Sequence, residues 1–365
     1  MASATMSAGP RRSASFYGWL MGAPAFIGLF VFLIVPFLLA IFMSFTNQRL
    51  LSPNPTEFVG LRNYDRLLGF SLLSVDPQVD ETTGEVLRDD AGNIQYPRSR
   101  AYTRDEENYP QYSGFTEWFS IDAFGQRNYI LAKDPVFLRS LINNFIFAAI
   151  VVPLQSGLAL LLAMLINQKI AGVNVFRTIY FSPVVTSMVV ISVVWTFMYD
   201  KQVGLINQFL TGLTGGLLGP FDWLGSPQSA MVAIIIMSIW QGVGFQMVIF
   251  LAGLQGIAEN LYEAAAIDGA NRVQQFWNVT IPSLRNTIIF VAISTTILAF
   301  RLFTQVDVMT NGGPSNATTT VVYDAVESGF RNQNIAYASA ISVVFFIIVL
   351  LIALVQRRIL TGGEE

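Results

Sequence analysis

Apolar residues in this chain gather into six stretches long enough to cross a bilayer, separated by polar sequence that is short except in one place. A hydrocarbon core about 30 Å thick requires roughly 20 apolar residues at a helical rise of about 1.5 Å. Residues 16–45, 141–166, 178–199, 229–255 and 334–355 contain no Asp, Glu, Lys or Arg, and residues 287–308 contain only Arg301 and Asp307. The pattern predicts an all-α integral membrane protein with six transmembrane helices. Pro24, Pro36, Pro153 and Pro183 fall inside these stretches. Membrane helices tolerate proline where neighbours satisfy the freed carbonyls, so they do not change the assignment.

Basic residues in the short connections set the orientation. With the N-terminus inside, inner segments hold Arg11, Arg12, Lys169, Arg177, Arg272, Arg285, Arg357 and Arg358, against only Lys201 and Arg331 in the short outer ones. Both termini are therefore expected in the cytoplasm, with residues 1–15 and 359–365 as tails. The first apolar stretch is too long for a signal-peptide core and lacks a small-x-small cleavage site after it, so it reads as a retained helix, with Arg11-Arg12 as an inner anchor rather than a twin-arginine signal.

The long loop, residues 46–140, holds ten further basic residues, but a loop of that length crosses regardless of charge. Its middle, about 71–133, is rich in Asp, Glu, Arg, Tyr and Gly and carries turn signals at Gly84 and Asp90-Ala-Gly92. It predicts a small extracytoplasmic cap with little apolar material, either a solvated ornament or a contact for a solute-binding protein.

Composition narrows the chemistry. The chain is 53% hydrophobic and 12% charged, outside the range of a water-soluble protein of 365 residues. It has no Cys and no His, which removes thiol chemistry and the commonest general base and metal ligand. A formal charge of -3 gives no sign of a nucleic-acid surface. No G-x-x-x-x-G-K-[ST] loop occurs, so the chain has no phosphate cradle of that kind.

Between the fourth and fifth apolar stretches lies a polar, Ala-rich elbow over about 259–279. Asn260 followed by Glu263 has the spacing of an N-cap with its reciprocal carboxylate, predicting a short helix over 262–267. Asp268-Gly269 makes the turn, and a second short helix over 270–278 should end before Pro282. The residues Glu263, Ala264, Ala265, Gly269, Val279, Ile281 and Pro282 resemble the E-A-A…G…I-x-L-P signature of the inner-membrane subunits of binding-protein-dependent ABC importers. The family often has a further Pro where this chain has Asn286. Thr310-Asn-Gly-Gly-Pro314, Ala336-Tyr-Ala-Ser-Ala340 and Gln356-Arg-Arg-Ile-Leu360 are similar to the sugar, maltose-type branch, as are the loop flanks at 58–64 and 134–144.

The resemblance implies a five-helix permease core over 141–358, preceded by the first transmembrane helix and an enlarged extracytoplasmic loop between helices one and two. It implies that Glu263, Ala264, Ala265, Asp268, Gly269 and Pro282 carry the closing motion of an ATPase subunit to the membrane helices. Implied partners are a second permease, two copies of the ATPase, an extracytoplasmic binding protein and a carbohydrate, in the cytoplasmic membrane of a bacterium or archaeon. ATP and Mg would sit on the ATPase, leaving this chain without a cofactor, metal or catalytic residue. The alternative from composition alone is a self-sufficient secondary carrier, but neither an intramembrane acidic or His relay nor an inverted repeat is visible.

Candidate pathway residues come from two stretches. Ser294, Leu298, Arg301 and Gln305 recur at helical spacing, and a mid-helix Arg costs roughly 2.5–3.5 kcal/mol on insertion scales, so Arg301 should face water or a partner. Asp307 should point elsewhere. In the preceding stretch Ser238, Gln241, Phe245 and Val248 share a face, with Trp240 and Gln246 beside it; rings and amides suit a sugar, and helix packing explains them equally. By the resemblance, the sugar site of maltose-type permeases falls on Gln241, Gly242, Phe245, Thr295, Ala299 and Leu302. Ala299 and Leu302 have no side-chain hydrogen-bonding atom, so a maltose-like mode is not expected, and the candidate holders are Arg301 and Gln305 or, in the main, the partner permease.

Overall fold

The computed structural model describes residues 11–80, 84–168 and 172–361, so Lys169 and the tail beyond Thr361 lie outside the described residues. The chain is mostly helical. Four helices are long and apolar enough to cross a membrane: α1 (Phe16–Ser44), α3 (Pro135–Ile166), α7 (Ala230–Gln255) and α13 (Ile335–Ile359). Two bent pairs bring the number to six if each is one span. Between α1 and α3 stand the short helix α2 (Arg62–Leu68) and three strands, β1 (Phe70–Val75), β2 (Thr116–Ala123) and β3 (Gln126–Ala132).

The third expected span is not one straight helix. Helices α4 (Val173–Val185) and α5 (Met188–Met198) meet at 102° because Thr186 and Ser187 are extended. After α5 come the short helix α6 (Leu205–Thr214) and then α7. The elbow supplies α8 (Glu259–Ile267) and α9 (Arg272–Ser283), and α9 bends by 68° into α10 (Arg285–Phe300). Helix α10 stops at Phe300, and the chain resumes as α11 (Thr304–Met309) and α12 (Val321–Val326) before α13. The stretch 287–308 is thus a helix, a break and a short second helix. Arg301 lies at the break and not in mid-helix.

Two wide turns sit just ahead of prolines. Residues Phe30–Ile34 precede Pro36, and Phe276–Thr280 precede Pro282. A proline ring presses on the carbonyl four residues back, and a π turn moves that carbonyl away.

The loop 71–133 is where the all-α expectation fails. Its strands form an antiparallel sheet in the order β1-β3-β2, with β2 and β3 joined through Phe124 and Gly125, both at positive φ. Leu73, Val75, Tyr129 and Leu131 fill its inner face, covered by Tyr96, Tyr102, Tyr112 and Phe115. The cap therefore has an apolar core of its own. Strand β3 runs through Lys133, which pairs with Asp65 at 2.5 Å, to Asp134, whose carboxylate caps α3 by accepting from the Phe137 N–H at 2.9 Å.

The helices bury two separate apolar clusters. One, on the side of the sheet, includes Phe137, Phe147, Trp195, Ile234, Phe300 and Ile341; the other, toward the elbow, includes Ala159, Ala163, Met247, Phe250, Leu284 and Val291. Close approach of α7 to its neighbours depends on glycine. A Cβ on Gly244 would lie 2.0 Å from the Tyr180 carbonyl oxygen, and one on Gly253 would lie 2.8 Å from Thr287 Oγ1.

Candidate functional site

A cavity of about 420 Å³ lies where the two clusters part. Helix α3 contributes Phe147, Val151 and Gln155; α7 contributes Ser238, Gln241, Gly242, Phe245 and Gln246; α10 contributes Thr295, Leu298 and Ala299. Arg301, Leu302, Thr304 and Gln305 close it from the broken segment, and Val184 and Met188 from the bend between α4 and α5. Gln155 falls one turn from Ala159 of the elbow-side cluster and from Val151 of the sheet-side one, so the amides form a polar layer between two apolar ones. Gly242 keeps room for that layer: a Cβ there would stand 2.3 Å from Gln155 Nε2.

The polar atoms are only partly used. Gln246 Nε2 donates to Thr295 Oγ1, and Thr295 donates onward to the Val291 carbonyl at 2.6 Å. Gln246 Oε1 and Ser238 Oγ are buried without a hydrogen-bond partner. No Asp or Glu lines the cavity among the described residues.

Of the sequence-derived pathway residues, Gln241, Gly242, Phe245, Gln246, Thr295, Arg301 and Gln305 come together around this one space. Trp240 does not. It packs tilted against Trp195 with ring centroids 5.5 Å apart and lines a different groove with Ile179, Pro183 and Val194. Ser294 also falls away, donating back to the Phe290 carbonyl at 2.7 Å, and Val248 lies outside the lining. The expectation that Asp307 points elsewhere agrees with its ion pair to Arg331 at 2.8 Å.

The break that carries Arg301 is pinned by side chains that pattern reading missed. Asn144 on α3 donates to the Phe300 carbonyl at 3.4 Å and accepts from the Val321 N–H at 2.9 Å. Thr320 donates to the Leu302 carbonyl at 2.7 Å, and Asn143 donates to the carbonyls of Asn316 and Thr319 at 3.0 and 2.8 Å. All three side chains are buried. Carbonyls freed by ending a helix inside a membrane need such partners. The signal available in the sequence was the pair Asn143-Asn144 in an otherwise apolar run.

At the elbow the expected cap is replaced by another. Helix α8 starts at Glu259 with Ala258 as its uncapped N-terminal neighbour, so Asn260 lies within the first turn and Glu263 is exposed without a capping role. The capping box belongs to α9: Asn271 Oδ1 accepts from the N–H groups of Val273 and Gln274, and Gln274 Oε1 accepts from the Asn271 N–H at 2.8 Å. Gly269, at φ 81°, ends α8 with the Ala270 N–H donating to the Ala265 carbonyl at 2.9 Å. The second helix does not stop before Pro282 but runs through it to Ser283. Tyr262 and Thr280 share a hydroxyl hydrogen bond of 2.9 Å that ties α8 to α9. Ala264, Asp268 and Gly269 are exposed and Ala265 half-buried, while Ile267 stands 86% exposed beside them.

A second buried polar cluster joins the start of α13 to residues between the spans, beside the sheet. Tyr337 Oη donates to Asp134 Oδ2, and the Arg66 guanidinium lies 4.3 Å from the Tyr337 ring centroid. Asp324 of α12 is buried nearby with Oδ2 unpartnered. Burial, reinforced by the charges of Asp134 and Glu327 and opposed by Arg66, pushes its carboxyl up to about 7. A carboxyl pKa raised on folding contributes stability that is complete below the unfolded value of 3.8 and is lost as pH rises toward about 7. The melting temperature of the purified protein should therefore be higher at acid pH than above neutrality, and Asp324→Asn should shrink that difference. An unchanged difference would show that other groups set it.

Comparison with known proteins follows this geometry. Residues 129–361 match the family described as binding-protein-dependent transport system inner membrane component. The chain is 36% identical over 244 residues to the probable ABC transporter permease protein YurN of Bacillus subtilis, covering 66% of this chain and 83% of that one. It is 36% identical over 271 residues to the diacetylchitobiose uptake system permease protein NgcF of Streptomyces coelicolor, covering 69% of this chain and 76% of that one. A chain in the crystal structure of a bacterial ABC transporter involved in the import of the acidic polysaccharide alginate superposes with a TM-score of 0.58 at 21% identity, over 64% of this chain and 81% of that one. The sequence matches, the elbow and the multi-pass helical core make this chain a member of the binding-protein-dependent transport system inner membrane component family.

Proposed function

We propose that this chain is one permease subunit of an ATP-driven importer that carries a carbohydrate through the cavity between α3, α7 and α10. The observation that carries the reading is a polar layer held between two apolar clusters in a chain whose relatives include a diacetylchitobiose permease. Amides of Gln155, Gln241 and Gln305 suit sugar hydroxyls, and the half-exposed Phe245 ring suits the C–H face of a sugar. Ala299 and Leu302, both in the wall, offer no side-chain donor, which argues against a maltose-like contact set.

In this reading a second permease completes the path, an extracytoplasmic binding protein delivers the solute, and two ATPase copies, holding ATP and Mg, act on the elbow. The Glu263–Gly269 stretch and Pro282 relay their motion, and the protein resides in the cytoplasmic membrane with both termini inside. Reconstitution of the complete complex in liposomes tests it: ATP-dependent uptake of a saccharide is the expected result. The native chain has no Cys, so single cysteines report topology cleanly. A Cys at Asn316 should react with an impermeant maleimide from outside, and one at Gln274 only after permeabilisation. Outside labelling at Gln274 would invert the orientation and remove the elbow from the ATPase.

A further inference from the structure

We propose that the transported carbohydrate carries an anionic group, a carboxylate or a phosphate ester, and that Arg301 binds it; this rests on the carbohydrate-permease reading above. The Arg301 side chain lines the cavity and its guanidinium makes no hydrogen bond or ion pair among the described residues, the backbone N–H alone being engaged, by the Leu298 carbonyl. The acid nearest to it in sequence, Asp307, is already engaged by Arg331 at 2.8 Å, and the cavity wall supplies no other carboxylate among the described residues. An unpaired guanidinium inside a membrane is costly, and such residues mark partners or paths.

The surroundings are organised for a ligand rather than for loose solvation. The carbonyls on either side of Arg301 are held by buried Asn144 and Thr320, which fixes the backbone from which the guanidinium projects. Preorganisation of that kind lowers the cost of binding. The remaining unpartnered polar atoms, Gln246 Oε1 and Ser238 Oγ, are neutral. Gln246 Oε1 can only accept, so it calls for a hydroxyl donor, whereas Arg301 can only donate and calls for an acceptor, best a planar or multi-oxygen anion. One cation with neutral amides and hydroxyls describes a saccharide bearing a single acidic group.

Arg301 also borders an apolar groove between α10, α12 and α13. A carboxylate from the second permease or a lipid phosphate could reach it there, and the experiment separates these sources from the solute. The complete transporter, with its binding protein, is reconstituted and given cellobiose, cellobiouronic acid and cellobiose 6-phosphate, alongside neutral, uronate and phosphate forms of other disaccharides. We expect at least one anionic member to enter about tenfold faster than its neutral parent, as one charge-assisted pair would give. Arg301→Gln should lower the ratio of anionic to neutral uptake by about the same factor, and Arg301→Lys should restore most of it. A response to the uronate forms identifies a carboxylate and a response to the phosphate forms a phosphate ester. If neutral sugars enter preferentially and Arg301→Gln leaves the ratio unchanged, the inference falls while the carbohydrate reading stands. If Arg301→Gln instead reduces co-elution of the subunits and both uptakes in parallel, Arg301 is a structural partner and the inference falls. If no saccharide of any class enters, both readings fall.

Discussion

Replacing Gly269 by Val is expected to cut solute uptake by roughly tenfold or more, leaving the membrane helices inserted and folded. The residue sits at φ 81°, where a β-branched side chain is strongly disfavoured, yet nothing lies within 4 Å of the position its Cβ would take. The harm is therefore conformational. About 1–3 kcal/mol of backbone strain would be relieved by opening the turn, which changes the angle between α8 and α9 while touching no packed residue. If the elbow transmits ATPase motion, its angle is the quantity that matters. Ile267→Asp is the companion variant, because it keeps the turn and removes only a side chain that is 86% exposed. An isoleucine so exposed at the end of a helix gains nothing within this chain and would gain from a groove on a partner. Loss of ATPase co-elution in Ile267→Asp, together with loss of uptake in Gly269→Val, is the expected pair of results. Normal uptake by both variants would remove the elbow from the mechanism.

Much of the site was legible in the sequence because membrane helices leave polar residues conspicuous. Gln241, Gln246, Thr295, Arg301 and Gln305 stand out against apolar neighbours, and the fold gathers them around one cavity. What failed were inferences that need local backbone geometry. Helical spacing placed Ser294 on the stripe of Arg301, but the helix ends at Phe300, so the register beyond that point no longer belongs to it. The termination comes from Asn144 and Thr320, more than 150 and nearly 20 residues away along the chain respectively, and no local pattern reports such partners. Trp240 stood beside the face of Gln241 in sequence, yet the bent α4–α5 pair offers Trp195 as a ring partner away from the cavity. The cap at Asn260 failed for a smaller reason: Asn271-Arg-Val-Gln274 has the same spacing eleven residues on, and it is there that both reciprocal hydrogen bonds form.

Similar logic hid the sheet. Apolar residues of β1 and β3 alternate, Leu73 with Val75 and Tyr129 with Leu131, but the runs are short and lie more than fifty residues apart in a polar segment. Period-two signals of that length carry weight only once the partner strand is known.

Asn144→Leu is the variant expected to test the break most severely. The substitution keeps the branched shape and heavy-atom count but leaves the Val321 N–H and the Phe300 carbonyl without the partners they have now, in a region where Asn144 itself is fully buried. Each unsatisfied buried group costs about 1–3 kcal/mol, so a loss on the order of 2–4 kcal/mol is expected, read as a lower melting temperature of the purified complex. A merely structural asparagine would lower uptake only in proportion to the folded complex remaining. A positioning asparagine does more, because the freed carbonyl lets α10 continue past Phe300 and turns Arg301 away from the cavity wall. Uptake per folded complex should therefore fall by roughly tenfold, the worth of one misplaced charge-assisted contact. Comparison with Asn143→Leu separates the two effects, since Asn143 holds Asn316 and Thr319 rather than the carbonyl next to Arg301. Equal uptake per folded complex in the two variants would mean that the clasp stabilises the outer segment without aiming Arg301.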